Sequence, residues 1–447
     1  MNRLVTRLAL VAAGLAFSAD LAAQPAAAPP ARAYAIRGAR LHTLAGPTID
    51  AGTIVLRDGR IVSVGTAVEI PPDAQVIDGM GLTVSPGFFD AMSQLGLTEI
   101  DAIAATNDFA EIGEFNPQLY TATAVHHASE HLPVARANGI THAGAAPGSS
   151  GGFGGSASII TGQMSVIGLS GWTIEEMLIA KSVGVLVNWP TMNTASFDFG
   201  ASAFRTRAFA DVRADYEKKV ASLRDYLEQA RRYVAARDGG QPVETDLRFE
   251  ALRDVLSGKL PVIARAHTDR DIRNVVEFCR QQQLKLVIAG GDQAWKAADV
   301  LAKAQVPVIL GPTLALPGTE DEPYDKPLSR VGELHKAGVK VALSTFNSAD
   351  SRTLPYEIGS AVPYGLPWED ALKAITRYPA EILGLGDRLG TLEPGKLANL
   401  VVTNGDPLEL RTTVVHVFVA GQPVSLSNRH LSLYELYRSR PRPAPAR

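Results

Sequence analysis

Short, mostly apolar runs recurring between longer helical stretches constrain this chain more than any other feature. They fall at Leu260 to Ala264, Leu284 to Ala289, Val306 to Leu310 and Val339 to Leu343. Runs of this length read as strands buried on both faces, and helices between them indicate a parallel β/α arrangement. One intervening helix is long: Asp211 to Arg237 carries Val212, Tyr216, Val220, Leu223, Leu227, Ala230 and Val234 at helical spacing, with Asp211 as N-cap and Gly239-Gly240 as terminator. The flanks differ. Residues 34 to 83 alternate apolar and polar, and Thr53 to Gly65 reads as a hairpin turning through Asp58-Gly59. After residue 390 strands return, at Asn399 to Val402 and Thr413 to Gly421. Strands at both ends around a β/α centre suit a barrel carrying a small β-sandwich built from both ends of the chain. No internal repeat is visible.

At 447 residues, 46% hydrophobic and 20% charged, the composition is globular, and a net charge of -3 gives no reason to expect nucleic acid or an anionic membrane surface as partner. Arg3 and Arg7 precede an apolar run, Leu8 to Phe17, followed by small residues at Ala22-Ala23. That run is shorter than the roughly 20 residues that span a bilayer. It reads as a signal peptide over residues 1–23, implying a periplasmic or secreted protein, with a flexible leader at 24–33. The single cysteine, Cys279, rules out an internal disulfide and sits in a helix-like stretch, where packing is the expected role.

Asp58-Gly59-Arg60-Ile61, Ser85-Pro86-Gly87-Phe88-Phe89-Asp90, Ala371 to Leu385 and Gly390 to Val402, occurring in this order, resemble motifs of the amidohydrolase superfamily, imidazolonepropionase-like members included. Ser85-Pro86-Gly87-Phe88-Phe89-Asp90-Ala91-Met92-Ser93-Gln94 is similar to the family's first barrel strand, P-G-hydrophobic-hydrophobic-D-x-H-x-H. Asp58-Gly59-Arg60-Ile61 with Val76-Ile77-Asp78-Gly79 resembles the lead-in to the sandwich, and Ala137 to Thr141 a second or third barrel strand. Ala371 to Leu385 resembles the last barrel helix, and Gly390 to Val402 with Gly405-Asp406-Pro407 the return to the sandwich. The resemblance implies an α/β fold: a TIM (β/α)8 barrel with a composite β-sandwich. Residues 34–83 and 389–426 would form the sandwich, 84–388 the barrel, and 427–447 a tail that is disordered from Ser439.

It also implies metal-dependent hydrolysis of non-peptide C–N bonds, the metal polarising a carbonyl and activating water at the barrel mouth. Carried over position by position, the ligands fail. Met92 and Gln94 stand for the two first-strand histidines, Gly290 for the sixth-strand histidine and Phe346 for the eighth-strand aspartate. On the fifth strand either Arg265 or His267 holds the ligand position, and only His267 can ligate. A thioether and a carboxamide are poor ligands for a hydrolytic cation, a catalytic zinc takes about three protein ligands, and phenylalanine accepts no proton.

Other residues offer substitute sites. Glu99, Asp101, Asp108, Glu111 and Glu114 crowd the loop after the first strand, but solvated acids are the expectation. His127 to His131 spells H-x-x-E-H, two histidines one helical turn apart, and reads as a polar helix surface over Tyr120 to Leu132. Gly148 to Ser156 is glycine-rich without the ending of a phosphate loop, and Asp350 lies too far beyond Phe346 to replace the aspartate. Three functions follow as expectations. The first is a noncatalytic or impaired family member, free of cofactor, associating with itself or with an intact homologue. The second is a C–N hydrolase with a rewired mononuclear site, zinc its cofactor, built on the pocket candidates His267 and Arg265. The third is a small-molecule binding protein. No membrane anchor is expected.

Overall fold

The computed structural model describes residues 33–148, 158–198 and 203–441. The signal-peptide reading, nearly all of the leader, and most of the Gly148 to Ser156 stretch lie outside the described residues.

The first five strands are β1 (Tyr34–Leu41), β2 (Ile49–Arg57), β3 (Arg60–Gly65), β4 (Gln75–Asp78) and β5 (Thr83–Pro86). Asp58 and Gly59 turn β2 into β3 with φ of 51° and 77°, the double positive φ that a two-residue hairpin requires. The body follows with β6 (Phe88–Ser93), β7 (Ile140–Ala145), β8 (Ile160–Gln163), β9 (Ser165–Gly168), β10 (Leu178–Ala180) and β11 (Val185–Asn188). After the hairpin β12 (Ala195–Asp198) and β13 (Ala203–Thr206) come β14 (Val262–Ala266), β15 (Leu286–Gly290), β16 (Val308–Leu310) and β17 (Val341–Leu343). The chain closes with β18 (Leu400–Thr403), β19 (Val414–Val419) and β20 (Gln422–Pro423).

Both ends of the chain meet in one eight-stranded sheet, ordered β20-β19-β18-β5-β1-β2-β3, with β4 also on β1. The expected composite of N- and C-terminal segments is therefore present as a continuous sheet. The body is α/β. Strands β11, β14, β15, β16 and β17 run parallel in a six-stranded sheet with β8, and β6, β7, β9 and β10 form a second sheet. Among the described residues these two sheets do not join into the closed ladder that the sequence predicts. Two seams are bridged instead. At one, the N–H of Phe346 donates to the Met92 carbonyl (3.0 Å), and at the other Val183 N–H donates to the Met164 carbonyl (2.9 Å). On its other side, β6 pairs with β7 with a register shift between Asp90 and Ser93.

Alternation sorts the body strands into two faces. Leu186, Ile263, Val287, Ala289, Ile309 and Ala342 share one apolar cluster with Phe89, Met92 and Leu383. Val185, Val262, Ala264, Ile288, Val308 and Leu343 face the helices instead. On β14 this parity puts Arg265 on the side of Ile263, away from the helices.

The long helix spans Phe209–Asp238 and stops at Gly239, as expected. Its N-cap is Ala208 rather than Asp211, which lies in the first turn, where its charge still favours the helix dipole. Tyr226 and Tyr233 join its buried stripe, and Val234 does not. The tail expected over 427–447 contains a helix, Arg429–Arg438, capped by the Asn428 carboxamide, which accepts from Leu431 N–H (3.1 Å).

Candidate active site

The ends of β6 and β17 are tied by a buried carboxylate. Asp90 accepts hydrogen bonds from the hydroxyls of Ser344 (2.5 Å), Thr345 (2.5 Å) and Ser351 (2.7 Å), and from Thr345 N–H (3.1 Å). Burial raises its pKa, the hydroxyls pull the other way, and burial prevails. Beside this cage Met92 is fully buried in the inward cluster, its N–H donating to Ser344 Oγ (2.8 Å). Phe346 packs on the same cluster and holds φ of 56°, left-handed backbone that non-glycine residues rarely adopt. Gln94 is half-buried just beyond the strand. The side chains at this seam are thus a thioether, a carboxamide and a phenyl ring.

The ends of β14 and β15 bring Arg265, His267 and Gly290 together. Gly290 has φ of 91°, and a Cβ there would lie 2.5 Å from His267 Cε1. The imidazole therefore occupies the space a side chain at 290 would need. His267 Nδ1 bonds Asp292 Oδ2 (2.8 Å). A carboxylate only accepts, so Nδ1 carries the proton and Nε2 of the neutral ring is left with a lone pair. Asp292 Oδ1 accepts from Arg330 Nη1 (3.2 Å), and Arg330 Nη2 also donates to the Pro312 carbonyl (2.7 Å). Burial pushes the Asp292 carboxyl upward, but His267 and Arg330 outweigh it and hold it below the usual carboxylate range. Arg265, two residues before His267 on the same face, is largely enclosed. Burial pulls its pKa down to about 10, so it stays charged at neutral pH. Among the described residues it has no hydrogen-bond or ion-pair partner.

The residues present do not fit a catalytic divalent metal. No group of three His, Cys, Asp or Glu side chains that could hold a metal ion occurs among the described residues. His267 is engaged with Asp292, and the neighbouring inward position is a cation, which repels a dication where few dipoles screen it.

The substitute sites disperse. Glu99 is half-buried, whereas Asp101, Asp108, Glu111 and Glu114 are exposed. His127 and His131 do not share a helix, because the helix covers only His131–Ala137 and Thr121–Thr123 is a separate 3-10 turn. Pro133 explains the correction: it lacks the N–H that an upstream extension would bond to Ser129. His131 Nε2 instead bonds the Glu99 carbonyl (3.0 Å). Asp350 is exposed, and Cys279 is buried in the helix Asp269–Gln281, its thiol pushed up to about 12 by burial.

Sequence reasoning missed Asp292, Arg330 and His142. Asp292 carried a signal, an acid two residues past a strand end at Gly290-Gly291, the usual place for functional groups in β/α folds. His142 carried none. It is buried on β7 against Phe89, with Nδ1 2.6 Å from Thr141 Oγ1, and burial lowers its pKa to about 3.

Comparison with known proteins agrees with this architecture. A sequence profile described as the amidohydrolase family matches residues 310–425. The amidohydrolase tasK of Hapsidospora irregularis is 24% identical over 420 residues, covering 85% of this chain. This chain spans only 41% of that protein's length. The imidazolonepropionase of Sphingopyxis alaskensis is 26% identical over 391 residues, covering 83% of this chain and 92% of that one. Among solved structures, an amidohydrolase from Thermotoga maritima MSB8 superposes with a TM-score of 0.74 at 27% identity, covering 88% of this chain and 99% of that one. The chain belongs to the amidohydrolase superfamily.

Proposed function

We propose that this chain is an exported amidohydrolase-family protein whose inherited hydrolysis of C–N bonds is lost or strongly impaired, acting as a noncatalytic partner of an intact homologue. On this reading the two body sheets are the halves of a TIM barrel, and the eight-stranded sheet folds over as its β-sandwich. The observation that carries the reading is the donor set at the strand ends. Met92, Gln94, Gly290 and Phe346 offer no ligand, Arg265 brings a positive charge, and His267 is committed to Asp292. Without a water-activating cation or a base in place of Phe346, the family's route to an activated water is missing. The N-terminal charge pattern and apolar run support export.

One observation favours a second reading, a rewired hydrolase. Asp292 holds His267 in the tautomer that leaves Nε2 free to accept a proton, as a general base requires. The two readings separate in an assay of an N-acyl amino acid, a phenylurea and a five-membered lactam, with and without added zinc or manganese. The proposal expects no turnover above that of His267→Ala under any condition. Turnover abolished by His267→Ala would establish the rewired hydrolase instead.

A further inference from the structure

The enclosed guanidinium of Arg265 stands without a charge partner among the described residues. The other internal charges have partners: Asp90 its three hydroxyls, Arg330 the carboxylate of Asp292, and Glu357 the hydroxyl of Thr353 (2.8 Å) with Thr313 N–H (3.0 Å). Arg265 has no such partner among the described residues, though an enclosed charge is costly unless it is paired. It is placed where a ligand reaches it. Strand parity puts it on the inward face, in register with Asn188 of β11 and Ala289 of β15, above the apolar layer of Leu186, Ile263 and Val287. It keeps partial exposure, and His267, next on the same face, has a side chain 57% exposed.

We infer that Arg265 anchors the carboxylate of a small monoanionic organic ligand at the C-terminal ends of the body strands, with His267 Nε2 beside it as a polar contact. This rests on the reading above that no metal occupies these strand ends. The chemistry selects a carboxylate on two grounds. A guanidinium presents paired N–H groups that match both oxygens of a planar carboxylate. The local charge count also favours a monoanion, because Arg330 is already offset by Asp292 and Arg265 leaves a single positive charge. A phosphate dianion would leave one negative charge over.

The test is calorimetric titration and thermal unfolding of the purified protein with benzoate, using benzamide as its neutral counterpart and inorganic phosphate as the competing anion. Metal content is measured on the same sample. The expected result is saturable benzoate binding with a rise in Tm, and neither effect from benzamide or phosphate. Arg265→Met should abolish binding while raising the Tm of the unliganded protein. Arg265→Lys should weaken binding roughly tenfold by losing the paired geometry, a difference of about 1.4 kcal/mol. Exposed Arg280→Gln should change neither. No saturable benzoate binding, or binding unchanged in Arg265→Met, would overturn the inference while leaving the metal-free reading intact. Benzoate binding lost on chelation would sink both, because the anion would then sit on a metal.

Discussion

Asp90 and Arg265, both enclosed in this fold, are treated in opposite ways. Asp90 lies at the seam of β6 and β17 with four donors closed around it, whereas Arg265 lies near the end of β14 with none among the described residues. Asp90 occupies the aspartate position of the family's first-strand motif, and its surroundings form a finished structural device. Arg265 lies on the inward face near a strand end, and its surroundings are unfinished. The contrast teaches that the group tying two strands together has its donors supplied within the fold, whereas the group facing the strand ends does not.

The contrast breaks most easily at Asp90. Asp90→Ala removes four hydrogen bonds from the interior, leaves the Thr345 amide without its acceptor and opens a cavity, and should cost about 3 kcal/mol in urea unfolding. A loss as small as that of a surface substitution would show that the cage is incidental.

Next comes His142, another enclosed group of the β6–β7 sheet. Its pKa of about 3 in the fold, against 6.5 unfolded, means the unfolded chain binds the extra proton between those values. Its contribution is complete above pH 6.5 and falls as pH drops toward 3. The difference in unfolding free energy between wild type and His142→Leu should therefore shrink by about 2 kcal/mol from pH 6.5 to 4.5. A pH-independent difference would mean that His142 is hydrated.

On the other side, Gly290→Ala meets both the positive φ and the His267 ring, and should cost about 1–2 kcal/mol. Histidine at 290 meets the same obstacle, so restoring that ligand alone should not restore metal binding. The smallest effect has the opposite sign. Arg265→Met should raise stability by about 1 kcal/mol, because it removes an enclosed charge without orphaning a partner. A loss instead would show that Arg265 is paired.

The sequence made the β/α order and the shared terminal sheet legible, because apolar runs and an Asp-Gly turn are local signals. Strand limits were less so. The runs begin at Leu260 and Val306, yet β14 and β16 begin at Val262 and Val308. Pro261 and Pro307 explain the delay, since neither can donate to the ladder. At the site, Met92, Gln94, Gly290 and Phe346 were legible one by one from motif position. The pairing of His267 with Asp292 and Arg330 was not, because it joins three segments separated by 25 and 38 residues and depends on which strand faces meet. The helix Arg429–Arg438 was hidden among arginines and tyrosines: none of its residues is buried, so it has no sharply apolar stripe to mark it.

The central claim is that the strand ends hold no catalytic cation, and elemental mass spectrometry of the protein purified without chelator tests it most directly. The account predicts zinc, iron, manganese and nickel far below one equivalent per chain, unchanged after incubation with each metal and gel filtration. One tightly bound equivalent, lost in His267→Ala, would contradict it.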